Sequence, residues 1–266
     1  MRPLKSRLLI SIVTLTLFLG TLLLVSTRIL SERYLALREH LRDSTGVDIL
    51  HYDRWILLAL IAIVGVILVR GLNLRGILDE LGLNRRILPA IIFAALATLP
   101  MFIGYGLAGQ AGFAWIFITA IIIAPFIEEL FFRGWAFRQL AQRAGWGFWP
   151  AALLTGIIFG LMHVPIQQLL ALKIGLGEVL TVLLTGAGGV FYAWLFQRWG
   201  WNLWVPIMLH ALMNASWAIF NVSEGAVGGL LENLFRAMTI TAAVFLTLYR
   251  DRIPLLRDRG KMKPKR

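Results

Sequence analysis

Cysteine is absent from this chain of 266 residues. Its absence excludes disulfide bonds, thiolate catalysis and any metal site that cysteine would ligate. Charge is also scarce, because Asp, Glu, Lys and Arg make up only 15% of the residues whereas 59% are hydrophobic. A soluble domain of this length would need more charged side chains to cover its surface. The composition therefore predicts a multi-pass membrane protein.

Acidic residues are fewer than basic ones, 14 against 26, which gives a formal net charge of +12. The basic residues lie mainly at predicted helix ends and in residues 251–266. We predict that this segment is a basic cytoplasmic tail that contacts anionic lipid headgroups. Nucleic-acid binding is not expected, because no basic patch is interleaved with exposed aromatic residues that would stack on bases.

Long apolar runs predict an all-α fold, since a helix crosses a bilayer with about 20 apolar residues. About eight segments meet this criterion, and we expect one integral membrane domain over residues 1–266 with a polar active-site cavity between its helices. The first segment is longer than the apolar region of a secretory signal, which indicates a retained transmembrane helix. The predicted spans are residues 8–27, 55–71, 87–108, 113–133, 149–171, 178–197, 202–221 and 233–250.

Two polar segments separate the early spans. Residues 28–53 mix arginines with acidic residues and are expected to form an extramembrane helix, and residues 71–86 to form a short interfacial connector. Most of the 26 lysines and arginines fall on the side shared by the termini and the even-numbered loops. Because basic loops stay in the cytoplasm, both termini are predicted to be cytoplasmic in a cell-membrane protein. In the sixth span, Gly186, Gly188 and Gly189 are expected to allow close helix approach.

Three clusters of polar residues lie within the predicted spans. Charged groups in hydrocarbon cost at least about 2.5–3.5 kcal/mol each, so they are rare there and usually functional. The pattern therefore predicts a polar reaction chamber between membrane helices. The clusters are Glu128-Glu129 with Arg133, Phe159 with His163, and His210 with Asn214.

The first cluster separates two carboxylates by role. Glu129 and Arg133 are four residues apart, so on a helix they share one face and are expected to form a structural ion pair. Glu128 points about 100° away from Glu129. A second carboxylate in an apolar segment needs water, a histidine or a metal ion nearby, which makes Glu128 the stronger candidate for chemistry.

The other two clusters supply imidazoles and an amide. His163 is followed by Pro165, which breaks or kinks the helix. His210 and Asn214 are four residues apart and project from one helix face. A carboxylate base, two imidazoles and an amide donor are the groups needed to activate water and stabilise an oxyanion. Glu128, His163 and His210 are equally a plausible zinc triad, although the HExxH spacing of soluble zinc proteases is absent.

The three motifs, in this order and spacing, resemble the signature of the CPBP family. That family comprises CAAX proteases and bacteriocin-processing, Abi-like enzymes, typified by the type II CAAX prenyl endopeptidases. Its EExxxR motif is matched by Glu128, Glu129 and Arg133, its FxxxH motif by Phe159 and His163, and its HxxxN motif by His210 and Asn214. The region that carries the resemblance covers roughly residues 85–221, the expected protease core.

The resemblance implies an intramembrane endopeptidase of eight helices whose active site opens to the cytosol. It implies that Glu128 and His163 activate the water while His210 and Asn214 bind the oxyanion. Glu129 and Arg133 would fix the helix geometry. The enzyme would be either a glutamate-dependent or a metal-dependent protease, with zinc as the metal, and its partners would be a membrane-associated substrate and the bilayer.

Other classes of function also use buried ionisable residues. A non-enzymatic membrane scaffold or bacteriocin-immunity protein is the main alternative. A small proton-coupled transporter ranks lower, because the sequence shows no inverted repeat or pair of broken helices. A scaffold should tolerate Glu128→Gln if it still folds, whereas a protease should not.

Overall fold

Helices make up 83% of this computed structural model, and no strand occurs in the part of the chain that it describes. The predicted all-α fold is thereby confirmed. The described residues are 4–27, 31–45, 52–71, 73–108, 119–222 and 227–256.

The helices are numbered here in chain order, and a short 3₁₀ turn, Arg250–Arg252, follows the last of them. Residues 257–266, which form most of the predicted tail, lie outside the described ranges. The helices are α1 (Leu4–Thr27), α2 (Glu32–Thr45), α3 (Asp53–Arg70), α4 (Leu74–Leu81), α5 (Leu88–Ala108), α6 (119–143), α7 (Phe148–Leu161), α8 (Ile166–Leu170), α9 (Leu176–Arg198), α10 (Trp204–Ile219) and α11 (Leu230–Tyr249).

Four helices among the described residues, α1, α5, α9 and α11, are long and apolar enough to cross a membrane. A fifth span results if α3 and α4 are counted together as one bent element. The predicted number of eight spans is not confirmed.

Two of the predicted spans show why the count differs, because the helices found there are short. The segment predicted at residues 149–171 is α7, which has 14 residues and ends at Leu161, because Pro165 cannot continue the helix. At 1.5 Å per residue α7 is about 21 Å long, which is less than a hydrocarbon core of about 30 Å. The segment predicted at residues 202–221 is α10, with 16 residues.

The predicted span 113–133 begins outside the described residues and extends into α6. Helix α6 does not end at Arg133 but continues to residue 143. In the structure Glu129 neutralises this arginine inside the protein, so the charge does not terminate the helix.

Each of the two polar segments contains a helix. The mixed-charge segment 28–53 includes α2, in which the hydroxyl of Tyr34 donates a hydrogen bond to Oδ2 of Asp53 at 2.7 Å. The predicted connector 71–86 contains α4, which buries Ile77, Glu80 and Leu81.

The chain divides into two compact units. The first unit comprises Met1–Leu81 and Ile127–Ala193, and the second comprises Gly82–Phe126 and Trp194–Arg266. The prediction of a single integral membrane domain over residues 1–266 stays a prediction.

The core of the first unit is built around α6. Every residue of its section Leu130–Phe137 is buried, as expected for a helix that is apolar on all sides. The ring of Phe18 in α1 lies 5.3 Å from that of Phe131. Gly65 in α3 makes room for Trp135, because a Cβ at residue 65 would lie 2.2 Å from the indole Nε1.

The winding of α6 changes along its length. Ala124–Glu129 is α-helical, whereas Leu130–Phe137 and Gln139–Arg143 are π-helical. A π-helix has hydrogen bonds from residue i to i+5, is rare, and occurs frequently at functional sites. The change in winding comes directly after the two adjacent glutamates.

The second unit packs α5 against α10 and α11. The hydroxyl of Tyr105 in α5 donates a hydrogen bond to the main-chain carbonyl of Glu232 at 2.8 Å. The indole N–H of Trp199 donates to Oγ1 of Thr247 at 3.0 Å. These bonds satisfy polar groups that would otherwise be costly to bury.

Glycines bring α7 and α9 close together within the first unit. A Cβ on Gly160 would lie 2.3 Å from the carbonyl oxygen of Val182, and one on Gly156 would lie 2.8 Å from that of Gly186. The expectation of close approach is confirmed for Gly186 and Gly189. Gly188 differs, because a Cβ there would meet nothing within 4 Å.

We expect Gly160→Ala to destabilise the protein by about 1–3 kcal/mol, because the new methyl group forces α7 away from α9. The matched control is Gly188→Ala, which should be neutral or stabilising by up to about 1 kcal/mol, since alanine favours a helix more than glycine. Thermal unfolding of both variants in detergent checks this. Equal destabilisation of the two would contradict the close contact.

Candidate active site

Glu129 and Arg133 form a buried ion pair on α6. Nη1 of Arg133 donates a hydrogen bond to Oε1 of Glu129 at 3.0 Å, and the two side chains are 1% and 0% exposed, respectively. The predicted ion pair is therefore present. Breaking a buried pair by removing one partner leaves an uncompensated charge, so each of these residues depends on the other.

Aromatic rings enclose the guanidinium of Arg133. Its Cζ lies 4.3 Å from the ring centre of Phe159, 5.4 Å from that of Tyr192 and 5.7 Å from that of Phe132. Such cation–π contacts are worth about 2 kcal/mol or more when they are desolvated. The aromatic residue of the second motif thus contacts the cation of the first motif.

His163 lies just beyond the end of α7, where its side chain is exposed. Its Nδ1 is 2.8 Å from the main-chain carbonyl oxygen of Phe159. A carbonyl oxygen can only accept a hydrogen bond, so Nδ1 is the donor in this contact. The main-chain N–H of His163 bonds to the Gly160 carbonyl, which leaves the Phe159 carbonyl, one of the last of the helix, to the imidazole.

Glu128 is the last residue but one of the α-wound section of α6. Its side chain is half-buried, whereas that of the adjacent Glu129 is fully buried. This difference agrees with the expected rotation of about 100° between neighbouring residues on a helix. Glu128 belongs to the same compact unit as His163.

His210 and Asn214 lie on α10, in the second unit. His210 is 8% exposed and Asn214 is half-buried. Because they are separated by four residues, the imidazole and the amide project from the same face of this helix. Their predicted pairing on one helix face therefore agrees with the helix found there.

The structure joins the first two motifs through a continuous series of contacts. Glu129 pairs with Arg133, Arg133 stacks on Phe159, and the ring of Phe159 lies 4.7 Å from that of His163. The third motif lies on α10, in the second unit, whereas the carboxylates, the guanidinium and one imidazole belong to the first unit.

The described residues contain no group of three or more His, Asp or Glu side chains close enough together to hold a metal ion. Glu128 and His163 belong to the first unit and His210 to the second, so the predicted zinc triad of these three residues stays a prediction. The donor set itself, a carboxylate and two imidazoles, remains chemically suitable for zinc.

Sequence reasoning did not identify a second buried charge cluster, centred on Glu80 of α4. Arg143 donates two hydrogen bonds to its carboxylate, from Nε to Oε1 at 2.6 Å and from Nη2 to Oε2 at 2.5 Å. Nε of Arg70 is 3.3 Å from Oε2, and Nε2 of Gln139 donates to Oε1 at 3.2 Å. Glu80 and Arg143 are 63 residues apart in sequence, so no local spacing reveals this pair.

The contacts of Tyr192 and Gly189 with Arg133 are likewise found only in the structure. Tyr192 faces the Arg133 guanidinium, and a Cβ on Gly189 would lie 3.1 Å from Nη2 of Arg133. The glycine run in the sixth predicted span was a signal for close packing, but not for packing against a cation.

Apolar helices that can span a bilayer and that enclose ionisable side chains define a polytopic α-helical membrane protein. Residues 110–216 match the family model described as Type II CAAX prenyl endopeptidase Rce1-like. This stretch includes all three motifs, so the resemblance drawn from them is confirmed over that region. Neither the family model nor the relative described next supports the Abi-like or metalloprotease predictions.

A protein of Bacillus subtilis (strain 168) with the name "Putative membrane peptidase YdiL" is 32% identical to this chain over 97 residues. The aligned stretch covers 36% of this chain and 33% of the relative. The chain thus spans about a third of the length of that relative. No solved structure matches the chain.

We expect Arg133→Leu to destabilise the protein by about 3–5 kcal/mol, because the Glu129 carboxylate would remain buried without its cation. The double variant Glu129→Leu/Arg133→Leu should be less destabilised than Arg133→Leu alone, since neither charge is then left. Denaturation of the detergent-purified variants measures both values. A double variant that is less stable than the single one would contradict the pairing.

The Glu80 cluster predicts a pH dependence of stability. Burial alone would raise the pKa of Glu80, but the hydrogen bonds and charge of Arg143, with the charges of Arg138 and Arg70, hold it below the ordinary value of 4.5. A lowered folded-state pKa means that the stabilisation is fully present above the unfolded-state pKa. It is lost as the pH falls through the lower folded-state value.

We therefore expect Glu80→Gln to lower the melting temperature at neutral pH. The difference from wild type should shrink progressively as the pH falls below 4.5, the ordinary value, because the wild-type carboxylate then becomes protonated as well. Melting curves of both proteins over an acidic pH series provide the measurement. A difference that does not change with pH would show that the charge of Glu80 is not the stabilising feature.

Proposed function

We propose that this protein is an intramembrane endopeptidase that hydrolyses a peptide bond in a membrane-associated peptide or protein. The observation that carries the proposal is the series of contacts from Glu129 through Arg133 and Phe159 to His163, which connects an imidazole to the motif that contains Glu128. The family match over residues 110–216 supports the same class of activity. Substrates with a prenylated CAAX-type C-terminus are the first class to test.

In this proposal Glu128 and Nε2 of His163 accept hydrogen bonds from one water molecule. Glu128 takes a proton as the water oxygen attacks the scissile carbonyl carbon. The N–H groups of His210 and Asn214 donate hydrogen bonds to the oxyanion that forms. The C–N bond then breaks, and the proton held by Glu128 passes to the leaving amine, which restores the carboxylate.

The supporting residues keep the catalytic groups in place. Glu129 and Arg133 neutralise each other, and the stacking of Phe159 on Arg133 fixes the carbonyl that orients His163. If zinc is bound, Glu128, His163 and His210 would hold it, and the ion would supply Lewis-acid polarisation of the scissile carbonyl.

We also propose a location in the cell membrane, with several spans and both termini in the cytoplasm. The excess of lysine and arginine on one side of the predicted spans supports this orientation. In that arrangement the substrate would be presented at the cytoplasmic face of the bilayer.

We expect Glu128→Ala and His163→Ala to reduce kcat by about 10²–10⁴-fold, as is typical for loss of a general acid or base. The matched control is His40→Ala on the exposed α2 helix, which should leave activity unchanged. Mass spectrometry of farnesylated and unlipidated peptides incubated with detergent-purified protein, with and without a chelator, gives the readout.

The outcomes of this assay distinguish the assigned mechanism, a non-enzymatic protein, a metal-dependent protease and a glutamate protease. Cleavage that survives in both variants would overturn the assigned mechanism. A protein that cleaves nothing, and that retains its cellular function when Glu128 is replaced by glutamine, is a scaffold or an immunity protein. Cleavage that the chelator abolishes would indicate a metal-dependent enzyme, whereas unchanged cleavage would support the glutamate mechanism.

A further inference from the structure

Helix α6 is attached to α4 by three of its own side chains. Arg143 and Gln139 bind the carboxylate of Glu80, as described above. Arg138 donates from Nη1 to the main-chain carbonyls of Asp79 and Glu80 at 2.8 and 2.5 Å. These carbonyls lie in the last turn of α4, where side chains commonly satisfy the main-chain carbonyls at the end of a helix. The carboxylate and the end of α4 are therefore held by the same stretch of α6.

The Glu80 carboxylate is fixed more firmly than an ordinary surface ion pair. Its side chain is 1% exposed, while those of Arg143 and Arg70 are 22% and 38% exposed. The bidentate geometry of Arg143 restricts both distance and direction. Breaking such a pair on one side costs far more than losing a solvent-exposed pair.

The attached stretch lies one π-helical section away from the candidate catalytic residue. Residues 138–143 hold α4, Leu130–Phe137 is π-helical, and Glu128 precedes that section. A π-helical turn contains one residue more than an α-helical turn. Conversion of one such turn to α-helix would therefore rotate Glu128 by about 100° relative to residues 138–143. The direction of Glu128 depends on whether the π-helical winding is maintained.

We propose that Glu80 is a positioning residue for Glu128. By holding Arg143 and Gln139, Glu80 anchors one end of the π-helical section and so fixes the rotation of the other end, where Glu128 lies. The structural part of this proposal stands on the contacts of the first unit alone. Its consequence for catalysis rests on the proposed function.

The first test measures position rather than activity, and it uses the natural absence of cysteine. Ala136 in α6 and Ala94 in α5 are both 0% exposed, and cysteine is only slightly larger than alanine. We expect the cysteine of Ala136→Cys to be protected from N-ethylmaleimide when the rest of the protein is wild type. When Ala136→Cys is combined with Glu80→Gln, the cysteine should react at least about tenfold faster, which corresponds to about 1.4 kcal/mol. Ala94→Cys, in the second unit, should stay protected in both backgrounds.

The matched control for the charge is Asp79→Asn. It removes a carboxylate one residue away but leaves the main-chain carbonyl that Arg138 uses. This variant should leave Ala136→Cys protected. Unchanged protection of Ala136→Cys beside Glu80→Gln would overturn the proposal. So would the simultaneous exposure of Ala94→Cys, because Glu80 would then be a residue of general stability.

The second test applies the peptidase assay to the same variants. We expect Glu80→Gln to lower kcat by about 10²-fold, as a misplaced catalytic group does, with little change in KM, and Asp79→Asn to keep wild-type values. Faster cysteine labelling with unchanged kcat would overturn the role in catalysis. If the wild-type protein cleaves no peptide but Glu80→Gln still speeds the cysteine labelling, Glu80 anchors α6 as proposed and the proposed function is rejected.

Discussion

The first unit depends on the neutralisation of one cation, the guanidinium of Arg133, inside a helix section that is buried on every side. An unpaired charge there would oppose folding by several kcal/mol. Glu129, one helical turn away, neutralises this charge, and the Phe159 ring covers the guanidinium. Because the carbonyl of Phe159 also binds Nδ1 of His163, the residue whose ring covers Arg133 also holds an imidazole in place.

Close packing of α7 and α9 makes this arrangement possible. Phe159 is on α7 and Tyr192 is on α9, and both rings face the same guanidinium. Larger residues in place of Gly156 and Gly160 would separate the two helices and widen the aromatic enclosure. The glycines therefore act on the electrostatics of Arg133 through distance, since cation–π attraction falls off beyond about 6 Å.

Local spacing predicted the local interactions correctly. The i,i+4 spacing gave the pair of Glu129 with Arg133, and a small-residue run gave the approach of α7 and α9 at Gly186. Contacts between residues distant in sequence had no such signal, and the Glu80–Arg143 pair is the main example. Hydropathy alone also does not show where helices end, because α6 continues past Arg133, which Glu129 neutralises, whereas α7 ends before Pro165.

The length of α7 has a consequence for the surrounding lipid. A helix of 14 residues, about 21 Å long, cannot match a hydrocarbon layer of about 30 Å. Hydrophobic mismatch of this kind is relieved when the bilayer thins around the short element, at a fraction of a kcal/mol per Å. His163 follows the end of α7, so in the proposed endopeptidase thinned lipid would shorten the apolar path that a polar peptide backbone must cross to reach the imidazole.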